Sequence, residues 1–351
     1  MRKIGSLHYV IMLNISLILV AFSARATETN LPRCKSDVRV WDSCSREKFY
    51  SNGDMYAGEW KNGERHGEGV YTWANGNTYT GGFVAGEKHG LATYTGSDGS
   101  TYKGRYVAGR RHGFGTATAP NGGKYTGGYK YGKFHGQGTL TYADGRRYGG
   151  NFVAGKRHGV GAMTFPDGNK YSGEWENDKM HGEGTHSWSV GDRYTGGWRS
   201  GKWHGQGTYT WASGKTYKGG YVAGEHHGLG TMTFPEGDSY TGEWQNGKWH
   251  GQGTYTWVNG NTYDGGYVAG KRHGLGTMTL PGGNKYVGTF EDNKIGGRVT
   301  LYDANGNVIK VWSNVNARND TPSTDAASLD GEISNLENEI AELERLIEHS
   351  E

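Results

Sequence analysis

From Tyr56 onward, aromatic and polar positions alternate in short runs broken by glycine, and the pattern returns every 23 residues. Tyrosine stands at 56, 79, 102, 125, 148, 171, 194, 217, 240, 263 and 286. Counting each tyrosine as position 0, glycine follows at +2 and an aromatic at +4, as in Tyr56-Ala57-Gly58-Glu59-Trp60. Side chains alternate across a strand, so both aromatics share one face. The second half of a repeat, as in Gly205-Gln206-Gly207-Thr208-Tyr209-Thr210-Trp211, alternates in the same way and predicts a second strand. Asn75-Gly76, Asp98-Gly99, Asn121-Gly122 and their later counterparts mark turns between repeats, and Asn62-Gly63 or a recurring Val-Ala-Gly marks a turn within them. The expected fold is therefore all-β: an elongated, single-sheet antiparallel β-meander of eleven 23-residue hairpin repeats over residues 56–308. One repeat has too many glycines and too few aromatics to fold alone, so stability must come from stacking neighbours. With two strands per repeat about 4.8 Å apart, the array would run to roughly 100 Å.

The ends depart from this pattern. Arg2 and Lys3 precede a mostly apolar run, Tyr9 to Phe22, and then Ala24-Arg25-Ala26, which reads as a secretory signal over residues 1–26. Export to the periplasm or beyond the cell would let Cys34 and Cys44 pair in a cap spanning 27–55. Residues 309–328 read as a closing strand and a polar linker. From 329 to 349, Leu329, Ile333, Leu336, Ile340, Leu343 and Ile347 alternate four and three apart, predicting a short amphipathic α-helix. Ile at a and Leu at d favour a parallel homodimer, but the acidic residues at e and g, among them Glu332, Glu337, Glu339 and Glu344, would repel. Docking of this helix on the basic repeats is the rival expectation.

Composition sharpens the picture. The chain has 351 residues, with 64 glycines, 24 tyrosines and 12 tryptophans, so aromatic rings must replace an aliphatic core. The formal charge is +3, but Asp325 to Glu351 carries a net −8, leaving about +8 on residues 27–324. Histidine recurs at +10 from His66 to His273, yet column neighbours would stand roughly 10 Å apart, too far to share one metal ion. No nucleophile elbow, phosphate loop or His-Glu-x-x-His is present, and no cofactor, metal site or catalytic activity is expected.

Two surfaces remain as candidates for binding. A basic line precedes the histidines: Arg65, Lys88, Arg110, Arg111, Lys133, Lys156, Arg157, Lys179, Lys202, Lys248, Lys271 and Arg272. It serves solubility at a sheet margin or meets anionic headgroups; nucleic acid would meet the same charge but not the export signal, and a protein partner is the other expectation for the scaffold. The second is an aromatic face, with Tyr56, Trp60, Tyr171, Trp175, Tyr194, Trp198, Tyr240 and Trp244 as an open ladder for envelope glycans.

The pattern Tyr-x-Gly-x-Trp-x-x-Gly-x-x-His-Gly-x-Gly, intact at Tyr56–Gly69 and Tyr240–Gly253, resembles the MORN repeat. That resemblance implies a β-meander scaffold, found beside lipid kinases, methyltransferases and membrane-tethering modules, with lipid binding proposed for several members. Asp178 and Asn293 replace the mid-repeat glycine, Ala92 replaces a later one, and Ile295-Gly296-Gly297 stands where His-Gly is expected, so the last repeat reads as a degenerate cap.

Overall fold

The computed structural model describes residues 31–35 and 40–312. The signal (1–26), the polar linker after Trp312 and the expected helix (329–349) lie outside the described residues. Among those described there is no helix. Twenty-four strands follow one another as an antiparallel meander. They fall into two compact units divided between His226 and His227.

The first unit holds β1 (Cys44–Phe49), β2 (Met55–Lys61), β3 (Glu64–Thr72), β4 (Thr78–Val84), β5 (Glu87–Thr95), β6 (Thr101–Val107), β7 (Arg110–Thr118), β8 (Lys124–Lys130), β9 (Lys133–Thr141), β10 (Arg147–Val153), β11 (Lys156–Thr164), β12 (Lys170–Glu176), β13 (Lys179–Ser187), β14 (Arg193–Arg199), β15 (Lys202–Thr210) and β16 (Thr216–Val222). The second holds most of β17 (Glu225–Thr233), then β18 (Ser239–Gln245), β19 (Lys248–Thr256), β20 (Thr262–Val268), β21 (Lys271–Thr279), β22 (Lys285–Glu291), β23 (Lys294–Tyr302) and β24 (Val308–Trp312). Within each unit, consecutive strands pair antiparallel.

Each repeat is one short and one long strand. In the first, Tyr56 faces Tyr71, Gly58 faces Gly69 and Trp60 faces Arg65, with a bulge at Gly58/Glu59 that shifts the register. The two-residue turn inside the repeat has positive φ at both positions, Asn62 at 51° and Gly63 at 79°. The turn between repeats is different: Trp73 N–H donates to Asn77 O, Gly76 N–H to Trp73 O, and only the glycine has positive φ. The asparagine of Asn75-Gly76 serves through its side chain, which accepts the N–H of Asn77.

The core is the row of repeat tyrosines. Tyr56, Tyr79, Tyr102, Tyr148, Tyr171, Tyr194, Tyr217, Tyr240 and Tyr263 are fully buried. The rings lie across the sheet over the +2 and +13 positions, glycine in every one of these repeats except for Ala92 at +13 of Tyr79; a Cβ on Gly58 or Gly69 would collide with Tyr56. The hydroxyl thereby reaches the bulge and donates to the +3 carbonyl, at 2.9 Å for Tyr56 to Glu59 and 2.8 Å for Tyr194 to Gly197. The bulge frees a buried acceptor and the tyrosine satisfies it. The +4 aromatics fill the space between tyrosines edge-on: Tyr56 meets Trp60 at 5.1 Å and Phe83 of the next repeat at 5.1 Å. Where +4 is tryptophan, the indole N–H donates to a carbonyl of the preceding strand, as from Trp175 to Gly161 at 3.2 Å.

At the start, Cys34 and Cys44 are disulfide-bonded, and Trp41 packs edge-on against Trp60 at 4.8 Å. At the far end, β22 and β23 form the same hairpin, but Val299 occupies the place of the +13 glycine. Tyr286 is accordingly less buried than its counterparts and stacks on Trp312 at 6.3 Å instead.

Candidate functional site

The pairing registers assign every position to one of two faces. Positions 0, +2, +4, +9, +13 and +15 lie on the inner, aromatic face, and −1, +1, +3, +5, +8, +10, +12 and +14 lie on the outer face. Adjacent residues of a strand therefore part company, and the basic line divides in two.

Arg65, Lys88, Arg111, Arg157 and Arg272, all at +9, turn inward and cover the tyrosine row. The Arg111 guanidinium sits 4.4 Å from the Tyr102 ring centre, and that of Arg157 4.3 Å from Trp175. Lys88 lies 4.5 Å from Trp73 and 5.3 Å from Tyr79. Burial pushes the Lys88 ammonium below the usual lysine range, and Arg65 and Arg111 add to the effect. In four repeats a ring takes the same place: Phe134 stacks on Tyr125 at 3.7 Å, Trp203 on Tyr194 at 4.9 Å, His226 on Tyr217 at 3.7 Å and Trp249 on Tyr240 at 4.6 Å; Met180 and Ile295 hold it in the other two. Position +9 is thus a lid on the core, filled by whatever packs on a ring face. Asp178, replacing a turn glycine, accepts from Arg157 Nε at 3.0 Å and holds that lid in place.

Arg110, Lys133, Lys156, Lys179 and Lys202 of the first unit, and Lys248 and Lys271 of the second, are at +8 and exposed on the outer face beside the tight turns. The histidines at +10 share this face, with His66 opposite Glu59 and His181 opposite Glu174. In five repeats position +12 carries an exposed apolar side chain: Leu91, Phe114 and Val160 in the first unit, Leu229 and Leu275 in the second. A shallow groove runs beside Leu91 and Phe114, floored by Thr80, Thr93 and Thr116 with Lys103 at its side.

Six consecutive strands stand out. From β6 to β11 no strand contains aspartate or glutamate. Their outer face presents Lys103, Arg105, Arg110, Lys124, Lys130, Lys133, Arg147 and Lys156, all exposed. His112, His135 and His158 lie among them, as do Phe114 and Val160. Sequence reading by residue number passed over Lys103, Arg105, Lys124, Lys130 and Arg147, which become neighbours only once strands pair. The absence of acids between Thr101 and Thr164, save Asp144 in a turn, was the available signal.

The aromatic ladder is corrected more sharply. Tyr56, Trp60, Tyr171, Trp175, Tyr194, Trp198, Tyr240 and Trp244 are all buried, packed on one another and under the +9 lids, so they offer no open ring face to a sugar. Rings that reach solvent on the inner face include Trp188, Trp203 and Trp211, each half-buried, as are Trp73 and Trp249. Among the described residues no three His, Cys, Asp or Glu side chains gather closely enough to hold a metal ion.

A family model described as MORN repeat matches residues 56–78, 79–101, 102–124, 125–146, 148–170, 171–193, 194–216, 217–239, 240–262 and 263–285. The hairpin beginning at Tyr286 is outside these ten, in keeping with its missing His-Gly and its Val299. No curated protein matches the chain. Among solved structures, similarity is found to the SAS-4 (dCPAP) TCP domain of Drosophila melanogaster in complex with a proline-rich motif of Ana2 (dSTIL), at 14% identity, covering 51% of this chain and 90% of that one, with a TM-score of 0.32. The TCP10 domain of Danio rerio CPAP in complex with a peptide of Danio rerio STIL is 12% identical, covering 77% and 99%, with a TM-score of 0.21. Virginiamycin B lyase from Staphylococcus aureus is 8% identical, covering 77% and 83%, with a TM-score of 0.14.

Proposed function

The chain belongs to the MORN-repeat family, and from that premise we propose that it is an exported, non-enzymatic scaffold that binds an anionic membrane surface through the outer face of β6 to β11. One observation carries the reading: three successive repeats whose outer face bears eight exposed cations and no carboxylate within the strands. A solubilising surface would intersperse both signs. Each lysine or arginine close to an acidic leaflet contributes about 1 kcal/mol, so eight together outweigh the ordering of a few side chains. Phe114 and Val160 on the same face supply apolar groups that can enter the headgroup layer. An acidic protein would use the same charges, and the family's repeats serve protein binding as readily.

Co-sedimentation of the mature protein with phosphatidylserine-containing and pure phosphatidylcholine vesicles, at low and high salt, tests the proposal. Capture by the anionic vesicles alone, weakening as salt shortens the Debye length, is expected. Equal capture by neutral vesicles, or none by either, would contradict it. A second reading, binding of envelope glycans, is favoured by Trp188, Trp203 and Trp211 on the inner face. Stacking on sugar rings would persist at high salt.

A further inference from the structure

The two ends of the meander are finished differently. On the outer side of β1, Ser45 N–H donates to Pro32 O at 2.9 Å and Cys34 N–H to Ser45 O at 3.2 Å, and the disulfide ties this segment down. Arg46, Glu47 and Lys48 add charge along the same strand. These are the devices that blunt a sheet edge. At the other end β24, Val308-Ile309-Lys310-Val311-Trp312, pairs only with β23 among the described residues. Val308, Ile309 and Val311 are 56%, 54% and 42% exposed, so aliphatic side chains stand out along an edge that can accept another strand.

We propose that β24 is a dimerisation edge, occupied by β24 of a second copy of this chain in antiparallel, two-fold pairing. Full overlap centres on Lys310 and sets Val308 of each copy opposite Trp312 of the other, and Ile309 opposite Val311. The two Lys310 side chains repel weakly as like charges, and each ammonium already leans toward its own Trp312 ring, at 5.3 Å. The sequence beyond Trp312 explains why the occupant is a second copy. Residues 313–328 are long enough to span roughly 50 Å when extended, several times the length of a five-residue strand. The two heptad segments from Leu329 to Ile347 can therefore meet from either side of the two-fold axis. Neither contact is strong alone: the edge is short, and the e and g carboxylates of the heptads repel. Joined through one linker, each raises the effective concentration of the other to the millimolar range. The same end of the chain thus carries two weak self-complementary elements that become one interface.

Sedimentation equilibrium of the mature, oxidised chain, compared with an Ile309→Lys, Val311→Lys double variant and with Ile340→Lys, tests this. The wild type is expected to be a dimer, and each variant to weaken it at least tenfold. Hydrogen exchange gives a readout independent of the variants' folding: the β24 amides should be protected at high protein concentration and exposed on dilution. A monomeric wild type, an edge variant that dimerises as tightly as wild type, or β24 protection that does not depend on concentration would overturn the proposal. The last outcome would mean that the edge is covered by the chain's own C-terminal residues.

Discussion

At the residue scale, the fold turns on one arrangement: a tyrosine laid over two glycines with its hydroxyl on a bulge carbonyl. Tyr171 donates to Glu174 O at 2.9 Å, and a Cβ on Gly184 would collide with its hydroxyl and ring. Tyr171→Phe should cost about 1–2 kcal/mol through the orphaned carbonyl. Gly184→Ala should cost about 1–3 kcal/mol, because the Tyr171 ring must shift to admit the methyl; urea unfolding of each variant measures both. The repeated tyrosine and glycines were plain in the sequence, but their reason was not, since nothing in a 23-residue pattern says that the ring turns across the sheet. Ala92 shows the tolerance of the device: one methyl at +13 is accommodated and Tyr79 stays fully buried. The lid position also carries a pH effect. Burial against Tyr217 pushes the His226 imidazole down to about 4, with Lys215 adding to it. An unfolded chain takes up this proton near pH 6.5 and the folded one does not, so stability is complete above pH 6.5 and declines as pH falls toward 4, by up to about 3 kcal/mol. His226→Phe, which copies the Phe134 lid, should flatten the urea midpoint across that range; an unchanged slope would assign it to other groups.

At the element scale, strands and their count per repeat were legible because apolar alternation with period two is unambiguous when repeated so often. Turn chemistry was less so. The Asn-Gly and Asp-Gly pairs between repeats advertise two positive φ values, yet the left-handed pair is the turn inside the repeat, where Ala85, Ala108, Ala154, Ala223 and Ala269 sit at φ of 47–55°. Alanine in that region costs roughly 1–2 kcal/mol, and asparagine tolerates it better. Ala154→Asn is therefore expected to raise stability by about 0.5–1 kcal/mol, visible as a higher thermal midpoint. The basic line was misread for a related reason. Arg110 and Arg111, or Lys156 and Arg157, are neighbours in sequence and lie on opposite faces of one strand. The signal that separates them was present: +9 interchanges cations with Phe134, Trp203 and Trp249, as a ring cover does, whereas +8 never carries an aromatic.

At the scale of the whole molecule, charge and finish are distributed unevenly, and each asymmetry carries one of the two proposals. The acid-free outer face of β6 to β11 gathers cations that the total charge of +3 conceals, because Asp325 to Glu351 cancels them. The edge of β1 is tied down by the disulfide, whereas β24 pairs only with β23 among the described residues, the edge proposed above for dimerisation. The family was readable from Tyr56–Gly69 alone, but the proposed binding face was not, since it is assembled from residues of six strands that only pairing brings together. The division of the basic line supplies the most direct test. Two variants are to be compared on anionic vesicles at low salt: Arg110, Lys130, Lys133 and Lys156 changed together to Gln on the outer face, and Arg111 with Arg157 changed to Gln on the inner one. The first should lose capture and keep its thermal midpoint, while the second should keep capture and melt earlier as its ring contacts go. An outer-face variant that sediments with the vesicles as wild type does would contradict a membrane-binding role for that face.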